Sequence, residues 1–316
     1  MHVIRDQYGR TFRTLRVSLL DHCNLGCVYC VAPGATDHAA TTKGLSVSAL
    51  LAMIGRLHGQ LQLHTIRLTG GEPLLYAGLA ELIKEIKAMG IEDIKLTTNG
   101  FLLQRQAPAL KNAGLGAINV SLDAIDEAIF HRMSRRHGVE RIISGIDATL
   151  ATGMDVKINT VVMKGMNDTQ ILPLLEFAFS RNIRIRFLEV MAMGHLHDQS
   201  DKYLFSQQDM LSAIAARYEL TPLGRQHSAT ASYWRTDSGH VFGIIANESQ
   251  PFCRDCDRLR LDSKGNIYGC LSSDHPIPLE MQEDDAIWQE KLQTALLQKQ
   301  ALRFTGSSLS MLHIGG

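Results

Sequence analysis

Leu15-Arg16-Val17-Ser18-Leu19-Leu20-Asp21-His22-Cys23-Asn24-Leu25-Gly26-Cys27-Val28-Tyr29-Cys30 begins in a run that reads as a β-strand, 15–19, and ends in three cysteines spaced C-x3-C-x2-C. The thiols therefore fall on the loop after the first strand. In a parallel α/β architecture the loops at the carboxyl ends of the strands form the ligand-binding face, so chemistry is expected at Cys23, Cys27 and Cys30. The other three cysteines of the chain, Cys253, Cys256 and Cys270, form a second triplet near the opposite end, spaced C-x2-C-x13-C.

Working outward, short β-branched runs at 65–68, 94–97, 117–121, 156–162 and 183–189 alternate with helical spacing at 46–57, 79–89, 104–113, 139–151 and 168–179. Ser46 and Asp168 are placed as N-caps, and Gly90, Gly114 and Gly153 where helices should stop. Repeats of this kind predict parallel strands with helical crossovers, in an open doubly wound sheet or a partial barrel, which periodicity does not separate. The pattern changes after about residue 195. A polar loop is followed by a helix near 206–218, a hairpin of 232–236 and 241–246, the second triplet, an acidic helix around 279–300 and a polar tail. This predicts one unit over residues 1–200 and a C-terminal α+β unit over 201–316.

With 316 residues and 45% apolar content the chain can bury a substantial core. Lysine plus arginine and aspartate plus glutamate each number 32, so no global field draws it to nucleic acid or an anionic membrane. An anionic ligand has to be held by local cations. The N-terminus lacks an apolar signal segment and no apolar stretch approaches the roughly 20 residues of a bilayer span. The expectation is a cytoplasmic protein, where thiols are metal-bound, catalytic or buried rather than paired in disulfides.

Three soft thiolates can hold three irons of a cubane cluster and leave the fourth iron open to a small ligand, whereas a closed zinc site normally takes four ligands. At this level a zinc site completed by His22 or His38 stays open for the first triplet, and a zinc knuckle flanked by solvated arginines for the second. Arg258 and Arg260 alternate on a short strand, which puts two guanidinium forks on one face, a phosphate-binding arrangement. His195 and His197 sit at i, i+2 in a polar loop and read as solvated.

The run Cys23 to Cys30 resembles the cluster motif of radical S-adenosylmethionine enzymes, and Gly70-Gly71-Glu72-Pro73 after the second strand resembles the superfamily's GGE-type motif. Thr97-Thr98-Asn99-Gly100 and Asn119-Val120-Ser121-Leu122-Asp123 resemble further superfamily segments. With Phe252-Cys253-Arg254-Asp255-Cys256-Asp257-Arg258-Leu259-Arg260-Leu261, Gly269-Cys270-Leu271 and the terminal Gly315-Gly316, the chain resembles over nearly its whole length the molybdenum cofactor biosynthesis protein A family, the GTP 3′,8-cyclases. The resemblance implies a partial (β/α)6 TIM-like barrel with a C-terminal α+β domain that holds a second iron-sulfur cluster.

It also implies two 4Fe-4S clusters, the first on Cys23, Cys27 and Cys30 with S-adenosylmethionine on its open iron, the second on Cys253, Cys256 and Cys270 holding the guanine of GTP. An external one-electron donor starts the reaction. The 5′-deoxyadenosyl radical takes hydrogen from C3′ of the ribose, and the resulting radical attacks C8 of the base. S-adenosylmethionine contacts carry over onto Tyr29, Gly71, Ser121 and Met191. GTP contacts carry over onto Arg16, Arg67, Thr97, Lys157, Arg258, Leu259 and Arg260. Arg258, Arg260, Gly315 and Gly316 are the residues expected to assist catalysis, with a homodimer as the candidate assembly.

The chain departs from the family pattern at Leu20, where a threonine is usual, at Thr65, where a lysine is frequent, and at Pro33, which comes late after the last cysteine. Two other functions stay open: a radical enzyme acting on another substrate such as a peptide, and a non-catalytic zinc or iron-sulfur protein.

Overall fold

Six strands follow one another through helical crossovers, as the alternating pattern predicts. The computed structural model describes residues 4–34 and 44–315; His38 and Gly316 lie outside the described residues. The strands are β1 (Thr14–Ser18), β2 (Thr65–Thr69), β3 (Asp93–Thr98), β4 (Ala117–Ser121), β5 (Asp155–Val162) and β6 (Arg184–Glu189). Each pairs in parallel with the next. The crossovers are α1 (Val47–Leu61), α2 (Leu79–Ala88), α3 (Leu103–Asn112), α4 (Glu127–Ser134), α5 (Val139–Ala151) and α6 (Ile171–Ser180).

The helices form because each presents an apolar stripe to the sheet. Leu50, Ile54 and Leu57 of α1 and Leu82, Ile83 and Ile86 of α2 join Leu15, Val17, Ile66 and Leu68 of the strands in one buried cluster. Burying side chains of this size contributes roughly 1.5–3 kcal/mol each. Ser46 caps α1 by accepting the Ala49 N–H at 3.2 Å. Gly90, Gly114 and Gly153 take positive φ just past α2, α3 and α5. Asp168 is not an N-cap but the first residue of a 3-10 turn, Asp168–Gln170, that leads into α6.

The C-terminal region contains α7 (Ser200–Tyr203), α8 (Gln207–Ala215), β7 (Leu220–Gly224), β8 (Ser232–Thr236), β9 (Val241–Ile245), β10 (Arg258–Leu261), β11 (Asn266–Tyr268), β12 (Ile277–Pro278), α9 (Asp285–Leu297) and α10 (Met311–Ile314). The β8–β9 pair is the expected antiparallel hairpin. The helix expected from 279 starts at Asp285, because Asp284 is its N-cap and accepts the Ile287 N–H at 2.9 Å. The acidic run is thus a helix start, where negative charge is favourable.

β9 lies parallel beside β6, and β10 lies parallel beside β1, so the C-terminal region extends the first sheet at both ends. The full order is β12-β11-β10-β1-β2-β3-β4-β5-β6-β9-β8-β7. One cavity takes side chains from all eight parallel strands, β10 and β1 through β6 to β9, which requires the sheet to wrap around it. Strand alternation separates the two faces: Leu15 and Val17 go to the helices, while Arg16 lies in register with Arg67 on one side and Arg260 on the other. No helix among the described residues is long and apolar enough to cross a membrane.

Candidate active site

Two adjoining cavities occupy the hollow of the sheet, each with one cysteine triplet in its wall. The first has a volume of about 200 Å³. Cys23, Cys27 and Cys30 enter it from the loop after β1, which hangs from the end of α4: Gly26 and Val28 donate their N–H groups to the carbonyls of Ser134 and Met133, both at 2.9 Å. His195 braces the same loop, its Nε2 lying 3.0 Å from the Val28 carbonyl oxygen. Cys23 Sγ accepts the Leu25 N–H at 3.4 Å and Asn99 Nδ2 at 3.6 Å.

The Gly70-Gly71-Glu72 turn is locked against the cysteine loop. Gly71 N–H donates to the Leu20 carbonyl at 2.6 Å and Glu72 N–H to that of His22 at 2.9 Å. A Cβ on Gly71 would lie 2.0 Å from the His22 carbonyl oxygen, so only glycine permits this approach. Glu72 is fully buried and accepts Thr98 Oγ1, the Asn99 N–H and the Leu74 N–H at 2.6, 2.8 and 2.9 Å. Burial still pushes its carboxyl up to about 7. Asp123 accepts the Tyr29 hydroxyl at 2.8 Å and the Val161 N–H at 2.9 Å, and burial raises it to about 6.

The second cavity, about 170 Å³, is cationic. Arg16, Arg67, Arg186, Arg258, Arg260 and Lys299 line it beside Cys253, Cys256 and Cys270, and none of its lining residues among those described is an aspartate or glutamate. Arg186 reaches Asn159 Oδ1 with Nε at 2.9 Å and Asn119 Oδ1 with Nη2 at 2.7 Å. Arg16 Nε is buried with no hydrogen-bond partner among the described residues. Burial, with Arg260, Arg67 and Arg258 adding to it, holds Arg16 well below the ordinary guanidinium range. Burial first and neighbouring arginines next depress Arg67 and Arg260 to about 10. Buried like charges without a carboxylate are stabilised by a bound polyanion.

The cavities share a wall: Thr97, Asn159, Leu188, Met191 and Met311 line both. The C-terminal tail reaches this hollow. Ser310 Oγ donates to the Cys30 carbonyl at 3.0 Å, and the Arg260 guanidinium donates to the Gly315 carbonyl. A Cβ on Gly315, whose φ is 79°, would lie 2.9 Å from Thr69 Cγ2 and 3.0 Å from Ser18 Cβ. A side chain there meets both backbone strain and two strand ends.

Three thiols at the edge of a cavity are the donor type that holds an iron-sulfur cluster, and Cys253, Cys256 and Cys270 are a second set of the same type. Among the described residues no three His, Cys, Asp or Glu side chains converge on a single ion; each triplet instead edges a wider space. Burial pushes Cys23 to about 11, Cys30 to about 12 and Cys27 well up, so these thiols require a cationic centre to become thiolates. At Cys253 of the second triplet burial also opposes ionisation and raises the thiol to about 11. At Cys256, however, Lys299 and Arg258 overcome it and bring the thiol down to about 6, with Lys299 Nζ 3.6 Å from the sulfur.

Tyr29, Gly71, Ser121 and Met191 all line the first cavity, and Arg16, Arg67, Thr97, Arg258 and Arg260 the second. Two expected residues do not reach it with their side chains. Leu259 points into the apolar core with no exposure, and Lys157 pairs with Asp155 at 3.1 Å toward the start of β5. Sequence reasoning missed Arg186, Lys299 and Glu189. Arg186 was legible as an inward charge in the alternating Arg184-Ile185-Arg186-Phe187; Lys299 and Glu189 had no local signal. Glu189 is buried and ties the ends of two connections by accepting the N–H groups of Gln207, Glu248 and Ser249. At the departures, Thr65 Oγ1 donates to Asp93 at 2.7 Å, while Leu20 packs against the core and leaves its carbonyl to Gly71.

A wrapped parallel sheet with three thiols on the loop after its first strand defines a radical SAM fold. The radical SAM superfamily profile matches residues 17–178, and Molybdenum Cofactor Synthesis C matches residues 183–306. A Staphylococcus epidermidis protein named GTP 3′,8-cyclase is 39% identical over 276 residues, 85% of this chain and 81% of that one. A Staphylococcus aureus protein of the same name is 40% identical over 275 residues, with the same coverage. Among solved structures, Streptococcus suis SuiB bound to S-adenosylmethionine superposes with a TM-score of 0.65 at 14% identity, covering 91% of this chain and 68% of that one. Native anSMEcpe with bound AdoMet gives 0.60 at 14% identity, covering 91% and 81%. The chain belongs to the radical SAM superfamily and, within it, to the family of the GTP 3′,8-cyclases.

Proposed function

We propose that this protein is a GTP 3′,8-cyclase that converts GTP to 3′,8-cyclo-7,8-dihydro-GTP in molybdenum cofactor biosynthesis. The observation that supports this most is the shared wall: a thiol-lined cavity without cationic side chains among the described residues opens beside a thiol-lined cavity ringed by buried and half-buried cations. Cys23, Cys27 and Cys30 would hold one 4Fe-4S cluster, with S-adenosylmethionine against Tyr29, Gly71, Ser121 and Met191. Cys253, Cys256 and Cys270 would hold a second. When bound, S-adenosylmethionine and the first cluster supply one-electron cleavage that abstracts hydrogen from an unactivated carbon.

The chain's own residues do the rest. Arg16, Arg67, Arg258 and Arg260 bind the triphosphate, since their uncompensated charge matches a polyanion better than a peptide. Thr97 and Met191 lie where both ligands meet, and orient the ribose toward the first cavity. Met311 and Gly315 close the hollow and exclude water. In fold terms, the reading is a partial (β/α)6 barrel over residues 1–200 with a second unit over 201–316. A cytoplasmic location and a homodimer complete it.

The test is anaerobic turnover of the reconstituted, reduced protein with S-adenosylmethionine and GTP, read by mass spectrometry. GTP-dependent formation of 5′-deoxyadenosine and a cyclised nucleotide is expected; deoxyadenosine without nucleotide product would discard GTP.

A further inference from the structure

One-electron chemistry in the first cavity needs a supply of electrons from outside the chain. Resting on the reading above, we infer that the end of α4 and the turn into α5 form the docking surface for a small acidic one-electron carrier protein. Residues 132–141 hold Arg132, Arg135, Arg136 and Arg141 against one acid, Glu140, in a chain with formal net charge +0. Arg132, Arg136 and Arg141 are exposed and Arg135 is half-buried. None of the four forms an ion pair among the described residues. The nearby Glu127 is committed elsewhere: it accepts the Gly138 and Val139 N–H groups at 2.8 and 2.9 Å and faces His137 Nδ1 at 3.0 Å.

This cationic surface is joined to the cysteine loop itself. Arg136 Nε donates to the Asn24 carbonyl at 3.0 Å, and Asn24 follows Cys23 directly. Arg135 donates to the carbonyls of Val31 and Ala32 at 3.0 and 3.2 Å, just past Cys30. A surface groove runs between these two arginines and Gly26, Pro33 and Gly34. Its charge is therefore placed one hydrogen bond from the loop that bears the first thiol triplet. The arginines of the second cavity line an internal hollow, with Arg260 buried and Arg16 half-buried there, so they present no comparable outer surface.

An acidic carrier suits this surface by charge complementarity, which raises encounter rates and orients the partner more than it adds lasting affinity. Redox encounters of this sort bury little area and dissociate readily, as repeated electron delivery requires. Cys23, Cys27 and Cys30 would hold the cluster that accepts the electron, and the carrier would be oxidised by one electron as that cluster is reduced by one. No bond forms or breaks and no proton is transferred.

The test uses the full-length reconstituted protein and a reduced acidic flavodoxin. Stopped-flow spectroscopy follows flavin oxidation, and anisotropy of labelled flavodoxin follows binding. The variant R132E/R141E alters no hydrogen bond to the cysteine loop. It is expected to lower the second-order rate about 10-fold or more at low salt and to weaken binding in parallel. The wild-type rate should fall as salt rises past about 0.1 M, where the Debye length is about 10 Å, and the variant should lose that dependence. With dithionite as reductant, deoxyadenosine formation should stay within about twofold of wild type. An unchanged flavodoxin rate, or equal losses with flavodoxin and dithionite, would overturn the inference. Failure of the cyclase reading would show separately, as absence of cyclised nucleotide while flavodoxin binding persists.

Discussion

The two cysteine triplets have the same composition and face the same hollow, yet their electrical surroundings are opposite. The first sits among buried acids: Asp123 and Glu72 add to burial in keeping its thiols protonated. The second sits among cations that pull Cys256 down to about 6 against the cost of burial. Thiol count alone would make them equivalent sites. Their neighbours divide the work, with the cationic cavity suited to a polyanion and the first to a ligand that brings its own positive charge.

The largest effects should come from separating the triplets. Cys27→Ser is expected to abolish deoxyadenosine formation while about half of the iron remains, whereas Cys256→Ser should retain cleavage within about tenfold and lose the cyclised product. Loss of both activities in both variants, seen by product analysis and iron assay, would merge the sites into one. Next, Arg258→Ala and Arg260→Ala should weaken GTP binding by about 10- to 100-fold, or about 1.4–2.8 kcal/mol, with iron content unchanged. Calorimetry beside iron assay distinguishes this from a structural role. Removal of Gly315 and Gly316 should cut nucleotide turnover about tenfold with both clusters in place; full turnover would exclude the tail from the mechanism.

Smaller effects report on the fields themselves. In the metal-free protein, alkylation should label Cys256 near pH 7 and spare the first triplet, because Lys299 and Arg258 bring Cys256 down to about 6 against burial while burial pushes Cys23, Cys27 and Cys30 up. Lys299→Met should shift that labelling to higher pH. Uniform labelling of both triplets would contradict the contrast. The smallest expected change concerns Glu72, whose carboxyl is raised to about 7 from an ordinary 4.5. The folded protein holds this proton more tightly than the unfolded chain, so the stabilisation is complete below about pH 4.5 and is lost as pH rises through about 7. Glu72→Gln should remove that pH dependence, on the order of 3 kcal/mol, in denaturant titrations of the metal-free protein.

Much of the inner sheet was legible because strand alternation and helix stops are local signals. The strand from Ala117 to Ser121 falls where the residues place it, and the inward positions of Arg16 and Arg67 follow from period two. The pairing of β10 with β1 was not legible, since parallel neighbours such as Leu15 and Leu259, 244 residues apart, leave no local mark. That pairing brings Arg260 next to Arg16. Lys299 was hidden for the same reason: it lies past the end of α9, and only the folded chain sets it beside Cys256. Helix α4 was missed because it is short, yet its last carbonyls hold the first cysteine loop.

The most direct measurement is turnover of GTP deuterated at C3′ of the ribose, with mass analysis of the 5′-deoxyadenosine formed. If the shared wall at Thr97 and Met191 brings the two ligands together as proposed, deuterium should appear in deoxyadenosine in step with cyclised nucleotide. Deoxyadenosine free of label, formed while nucleotide is cyclised, would contradict that account.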